Sequence, residues 1–283
     1  MVATRINLGC GSVFVESPEW INLDFTASSP AVRQANLLGR LPLESDTAQL
    51  VYASHFLEHI PRSDIHAFLR ECLRVLRPGG VLRLVLPDLE EMARTYLALR
   101  DAGEHERADF LVLEIVDQCV RRESGGELGR LYGRVRDASV QHREMIDFIS
   151  ERTGEDLTDK ISPNNSSLIR ILFEKPKAIF PAFTRQARRY WIGAVLCALP
   201  SAFVAQSVSL ASVGERHHWL WDFHQLQNAL QAAGFADVRR QSASSSAVED
   251  FPFCALDLDC EGRPRKGVES MYIEAIKPKL ERL

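Results

Sequence analysis

The sequence is poor in the features that mark a secreted, metal-stapled or nucleic-acid-binding chain. Its six cysteines, at positions 10, 72, 119, 197, 254 and 260, form no CxxC pair and no regular short spacing. That usage argues against a structural zinc site and against a disulfide framework, and it fits reduced thiols in a cytosol. Charge of one sign is not gathered either: 34 Lys and Arg stand against 38 Asp and Glu, for a formal net charge of -4. With no basic block to track phosphates, nucleic acid is not an expected partner. The chain runs from Met1 straight into a short apolar strand, without a basic stretch and long apolar run ahead of a cleavage site, so no secretion signal and a cytoplasmic location are expected. Long hydrophobic runs are scarce. The one that stands out, 191–212, follows Arg185, Arg188 and Arg189 but is broken by Pro200, Gln206 and several serines. A membrane span wants about 20 predominantly apolar residues. A buried helical pair is the first reading of this stretch, with surface contact to a membrane next and a span last.

What is present is an ample core-forming composition, 46% hydrophobic over 283 residues, and an alternation of strand and helix signals in the first hundred positions. Arg5–Leu8 and Trp20–Leu23 read as short strands, Gln49–Ala53 as a buried one, and Ser63–Leu76 as an amphipathic helix capped by Ser63. Pro78-Gly79-Gly80 closes that helix, Val81–Leu86 is a further strand, and Leu89–Arg100 a further helix for which Asp88 is a candidate cap. Beyond it the strand signal fades into charged, helix-like sequence with a polar break at Ser162–Ser167. It returns late, with a helix over Asp222–Ala233 closed by Gly234, then strands over Phe235–Arg239 and Ser270–Ile276 that would pair as an antiparallel edge hairpin. The alternation predicts an α/β fold with a mostly parallel sheet. The expected division is 1–104, a helical insertion or cap over 105–213, and 214–283.

Chemistry-bearing residues cluster at strand ends. Asn7-Leu8-Gly9-Cys10-Gly11 follows the first strand, and its glycines let backbone approach a ligand at the carboxyl edge of the sheet. Asp24 ends the second strand, where a carboxylate can accept from both hydroxyls of a ribose. From Gly9 to Asp24 there are about 15 residues, short of the roughly 20 of a nucleotide-binding half with a full helix, so the connection must be a loop or a single turn.

Asn7 to Gly11, Trp20-Ile21-Asn22-Leu23-Asp24, Leu41-Pro42-Leu43, Tyr52 to Ile60 and Arg74 to Gly80, in this order and spacing, resemble the class I S-adenosylmethionine-dependent methyltransferases. The likeness is nearest to the predicted bacterial methyltransferases encoded with surface-polysaccharide genes. It extends to Gly214 through Trp219, Ala233-Gly234-Phe235 and Glu269 through Ala275, and it fades in the middle of the chain. The resemblance implies a Rossmann-like, seven-stranded sheet with S-adenosylmethionine as cofactor and S-adenosylhomocysteine as product. It implies that Gly9, Cys10 and Gly11, with Asn7 opening the motif, border the methionine part and that Asp24 holds the ribose. Asn36 with Leu37 would lie at the adenine, an amide standing where such enzymes often carry an aspartate; its carbonyl can still accept. Ser54 and His55 would face the sulfonium. Gln49 stands where the family usually opens that strand with an aspartate.

Methyl transfer from a sulfonium is an in-line displacement, so a protein must hold donor and acceptor at about 3–3.5 Å and take a proton from a hydroxyl acceptor. Histidine suits that task at neutral pH. His55, His59 and His218 are the candidates for direct participation, with His217 beside the last. A metal is not expected: the HExxH order is absent, Pro61 follows His59 closely, and adjacent His217 and His218 would point apart in a strand. The expected acceptor is a hydroxyl or amine of a small or glycan-like molecule, on whose ring Trp191, Trp219 or Trp221 could stack. Alternatives are a lipid head group or small metabolite as acceptor, a non-catalytic S-adenosylmethionine-binding regulatory module, and an NAD-dependent oxidoreductase using the same glycine turn. Nothing in the sequence sets the oligomeric state.

Overall fold

A computed structural model describes residues 4–137, 141–157, 191–192, 195–200, 203–204, 208–209 and 214–279. Its frame is a seven-stranded sheet. Five strands are parallel: β1 (Thr4–Leu8), β2 (Trp20–Asp24), β3 (Val32–Gln34), β4 (Ala48–Ser54) and β5 (Leu76–Pro87). The chain builds outward from β1 through β2 to β3, then crosses back to lay β4 and β5 on the other side of β1. β6 (Ala236–Gln241) and β7 (Ser270–Ile276) complete the order β3-β2-β1-β4-β5-β7-β6, both pairing antiparallel as the sequence predicts. The near-continuous apolar sequence of β4 and β5 follows from burial on both faces.

Apolar layers cover each face. On one, α1 (Ile65–Val75) turns Ile65, Phe68, Leu69, Cys72 and Val75 inward at helical spacing, beside Leu226, Leu230 and Ala233 of a later helix over Phe223–Ala233. On the other lie Trp20, Leu50, Tyr52, Val85, Phe251 and Tyr272. All six cysteines are free thiols.

The expected helix ends hold at Asp88 and Gly234 and fail at Ser63, and Asp222 adds a cap of its own. The Asp88 carboxylate accepts from the Glu90 N–H at 3.1 Å and starts α2 (Leu89–Asp101). Asp222 accepts from Gln225 N–H at 2.8 Å, and Gly234 closes that helix in the left-handed conformation at φ 102°. Ser63 does not cap α1. A turn from Pro61 to the Asp64 N–H delays the helix to Ile65, and the Ser63 hydroxyl donates to the Asp64 carboxylate instead.

Between 105 and 157 the described chain is helical, with α3 (His105–Val112), a wider π turn over Leu113–Asp117, α4 (Gln118–Val120), α5 (Gly126–Asp137) and α6 (Arg143–Thr153). The late helix Phe223–Ala233 is α7. Met92, Phe110, Leu111, Ile146 and Ile149 form a separate apolar cluster under these helices. The polar break at Ser162–Ser167 and the basic run at 185–189 lie outside the described residues. Of the stretch read as a buried helical pair, Trp191, Val195, Leu199 and Phe203 are exposed. The first three recur at every fourth position, so one stripe faces solvent together. Among the described residues, no helix is long and apolar enough to cross a membrane.

Candidate active site

Parallel register brings the carboxyl ends of the central strands level. Leu8 pairs with Leu23 on one side and Ala53 on the other, so the glycine turn, Asp24 and Ser54 share one edge. That edge is where strand order reverses between β1 and β4, the place at which open α/β sheets bind ligands.

The turn is held from behind. Asn7 is buried, and its side-chain amide donates to the Val13 carbonyl at 3.0 Å while the Val13 N–H donates to the Cys10 carbonyl. Asn7 thus shapes the loop from within. Gly9 and Gly11 both have positive φ, 64° and 52°, and they differ in what faces them. A Cβ at Gly9 would stand 2.5 Å from the Phe56 ring, whereas one at Gly11 would meet no atom within 4 Å. Gly9 lets an aromatic ring close in, and Gly11 leaves a cradle open.

Asp24 borders that cradle. One carboxylate oxygen accepts from Gly11 N–H at 2.9 Å, the other from Thr26 N–H at 3.0 Å, and the Ser28 hydroxyl donates to the Gly11 carbonyl at 2.9 Å. Each oxygen keeps a lone pair for a ribose hydroxyl. The open side of Gly11 with a carboxylate at its rim therefore fits an adenosine bearing a methionine-derived tail. The Cys10 thiol is pushed up to about 11, by burial and then by Asp24, so it sits here as a neutral group. Farther along, Leu37 is buried and Asn36 exposed; the Asn36 side-chain carbonyl accepts from Leu38 N–H at 3.1 Å, keeping one lone pair free.

At the end of β4 the backbone turns sharply, with His55 in the left-handed region at φ 47°. For a residue with a Cβ such a conformation costs of order 1–3 kcal/mol and persists only where surroundings impose it. Contacts from the start of β7 and from Glu58 impose it. Ser270 Oγ donates to the Lys266 carbonyl at 3.0 Å and lies 2.9 Å from His55 Nε2, so the ring N–H donates to Ser270. His55 Nδ1 then faces Glu58 Oε1 at 3.4 Å with a lone pair.

Glu58 and the neighbouring imidazoles form a buried cluster. His59 Nδ1 donates to the Arg216 carbonyl at 2.9 Å, which leaves Nε2 free, and its ring meets that of His217 edge-on with centroids 4.8 Å apart. Burial, with weaker contributions from Lys266, His217 and His59, holds His55 well below its ordinary pKa. Burial likewise lowers His59, against the hydrogen bond to Arg216, and takes His217 to about 3. It raises Glu58 to about 8. His217 and His218 lie in an irregular segment, not a strand; His217 is buried and His218 exposed. The His218 backbone N–H donates to the Glu58 carbonyl at 2.6 Å. The sequence names His217 only beside His218, and it is the fold that joins it to Glu58 and His59.

The tryptophans do not form a stacking platform. Trp221 is buried in the core, the Arg62 guanidinium lies 4.2 Å from the Trp219 ring, and Trp191 is exposed.

Residues 17–84 match a family profile described as a methyltransferase domain. No curated protein matches. Among solved structures the chain is similar to a SAM-dependent methyltransferase of Archaeoglobus fulgidus, at 11% identity over 97% of this chain and 86% of the other, with a TM-score of 0.38. It is similar to one of Thermotoga maritima described as a possible histamine N-methyltransferase, at 10% identity over 97% and 81%, TM-score 0.37. A third similarity, at 11% identity over 100% and 85% and TM-score 0.37, is to a complex of the Haloferax volcanii Trm112 methyltransferase activator with a methyltransferase. Likenesses this distant carry no information on substrate or partner. The domain match, the mostly parallel sheet reversing at the glycine turn, and the open cradle bordered by Asp24 support a methyltransferase with S-adenosylmethionine as its cofactor.

Proposed function

We propose that the chain methylates a hydroxyl or amine of a small or glycan-like acceptor. The observation that carries this reading is the open face of Gly11 beside the Asp24 carboxylate, at the switch point of a sheet whose residues 17–84 match a methyltransferase domain. S-adenosylmethionine, when bound, supplies a sulfonium methyl for in-line displacement. Asp24 and the turn at Cys10 grip the nucleoside, Asn36 accepts at the adenine edge, and Ser54 and His55 stand toward the reacting end. The acceptor enters from the side of the histidine cluster. His55 and His59, kept neutral by burial, receive or relay its proton, and exposed His218 stands at the rim.

A glycan acceptor of surface-polysaccharide synthesis is supported by the sequence resemblance, not by a tryptophan platform. Residues 105–213 act in this reading as the cap over the acceptor. The exposed stripe of Trp191, Val195 and Leu199 favours a second reading, a lipid-borne acceptor presented at a membrane surface. The test is release of S-adenosylhomocysteine over a panel of nucleotide sugars, oligosaccharides, amines and lipid-linked sugars, with liposome co-sedimentation alongside. Turnover that Asp24→Ala abolishes is expected. Binding of NAD in place of S-adenosylhomocysteine, or cofactor binding without methylated product from any class, would overturn it.

A further inference from the structure

Glu58 has no solvent exposure, and among the described residues neither of its carboxylate oxygens finds a hydrogen-bond partner. An orphaned buried carboxylate costs several kcal/mol unless something positive meets it. What faces it are lone pairs: one potential ligand atom each from Glu58, His59 and His217 lie within 4.8 Å of one another. His217 is buried with its Nδ1 unpartnered. His59 is oriented as a ligating histidine is, its Nδ1 donating to the Arg216 carbonyl so that Nε2 is presented bare. His55 Nδ1, 3.4 Å from Glu58, adds a further acceptor and no donor. Lys266 perturbs Glu58 electrostatically, but no hydrogen bond or ion pair joins the two among the described residues.

We infer that Glu58, His59 and His217 form a divalent transition-metal site. Two imidazoles and one carboxylate, with positions left open, suit Zn²⁺, Mn²⁺ or Fe²⁺ and do not suit Mg²⁺ or Ca²⁺, which prefer all-oxygen sets. Ligand atoms on such an ion stand about 3.4 Å apart at bond lengths near 2.1 Å, so closure needs side-chain adjustments on the order of an ångström. The segment 214–219 is held to Glu58 and Gln118 by the backbone of His217 and His218, which keeps His217 at the site whether or not metal is bound. Under the function proposed above, the open positions would seat the acceptor's oxygen or nitrogen opposite the methyl donor, and with His59 Nε2 then a ligand the acceptor's proton would pass to His55; metal binding itself does not depend on that function.

The test uses the full chain without methyl donor. Protein stripped with a chelator is titrated calorimetrically with ZnCl₂ and MnCl₂, metal content after gel filtration is measured by mass spectrometry, and crystals soaked in each salt are examined at the metal absorption edge. Stoichiometric binding is expected, with an anomalous peak among Glu58, His59 and His217. Glu58→Gln and His217→Ala should each weaken affinity by ~100-fold or more, since even outer-shell changes cost about 10–100-fold. Unaltered binding of S-adenosylhomocysteine serves as the folding control. If either variant fails to fold, the anomalous map of the unsubstituted protein decides alone. No stoichiometric metal, as expected if a shared proton alone neutralises Glu58, or a peak elsewhere, would overturn the site. Metal binding without S-adenosylhomocysteine binding would keep the site and remove the methyltransferase reading.

Discussion

The carboxylate of Asp24 accepts a hydrogen bond of 2.9 Å from the backbone N–H of Gly11, so the group proposed to hold a ribose also builds the turn proposed to hold the methionine tail. Removing it should do double damage. Asp24→Ala loses the acceptors for Gly11 and Thr26 as well as those for the ribose, and hydrogen bonds to charged groups are worth about 1.5–3 kcal/mol each. S-adenosylhomocysteine affinity measured by calorimetry should fall by ~100-fold or more. Asp24→Asn, which still offers one carbonyl oxygen, should fall less. Equal losses for the two variants would mean that the ribose hydroxyls are not what Asp24 holds.

The two glycines of the turn should separate stability from binding. Gly9→Ala combines a left-handed backbone with a Cβ 2.5 Å from Phe56. Strain and overpacking of this kind cost about 2–4 kcal/mol together, read as a lower urea midpoint. Gly11→Ala carries only the conformational penalty, about 1–2 kcal/mol, because nothing lies within 4 Å of the added carbon. Its main effect should be on S-adenosylhomocysteine affinity, since the methyl group enters the cradle. A Gly11→Ala protein that binds normally would show that the cofactor does not use that face.

Local signals carried the sequence reading wherever contacts are local. The strand at Trp20, the cap at Asp88 and the stop at Gly234 each depend on neighbours a few residues away, and each stands where the residue types put it. The same logic misplaced Ser63, because the turn from Pro61 competes for the helix start. What escaped was contact across the chain. His217 reaches Glu58 and His59 from more than a hundred residues away, in an irregular segment where strand alternation could not say which way it points. The expected burial of 191–212 failed at Trp191, Val195, Leu199 and Phe203, because hydrophobicity says nothing about whether a partner surface exists.

Arg83 is the clearest such case, an arginine in the middle of a strand otherwise read as buried and apolar. It has no exposure, bonds Asp257 and Glu274 at 2.7 and 2.8 Å, and donates to the carbonyls of Ser242 and Ser245. The Phe251 ring lies 4.7 Å from its guanidinium. Arg83→Met should cost about 3–5 kcal/mol by leaving two buried carboxylates without their cation. Adding Asp257→Asn should recover part of that loss, because it removes one of the two orphaned charges. Equilibrium denaturation of the two variants checks this; no recovery in the double variant would place the cost in lost packing.

A second buried charge node predicts a pH dependence. Arg152 Nε donates to Glu114 at 3.0 Å and its guanidinium bridges to Glu91 at 3.2 Å. Glu269 completes the group as a buried carboxyl that feels the charge of Glu114, and its backbone N–H donates to the Arg152 carbonyl at 3.2 Å, tying α6 to the start of β7. Burial, and then the charge of Glu114, push Glu269 well above the usual carboxylate range. Burial raises Glu114 as well, against the pull of Arg152. Of the two, Glu269 is the one pushed furthest toward its protonated form. A carboxyl whose folded pKa is raised contributes stability that is complete below its unfolded pKa and is lost as pH rises through the folded value. Melting temperature should therefore decline on the alkaline side of the carboxylate range, not the acid side, with each pKa unit of displacement worth about 1.4 kcal/mol. Glu269→Gln keeps a donor for Glu114 and removes the titration. Its melting temperature should match the parent in acid and exceed it progressively as pH rises; a parallel decline in both proteins would assign the pH dependence to another group.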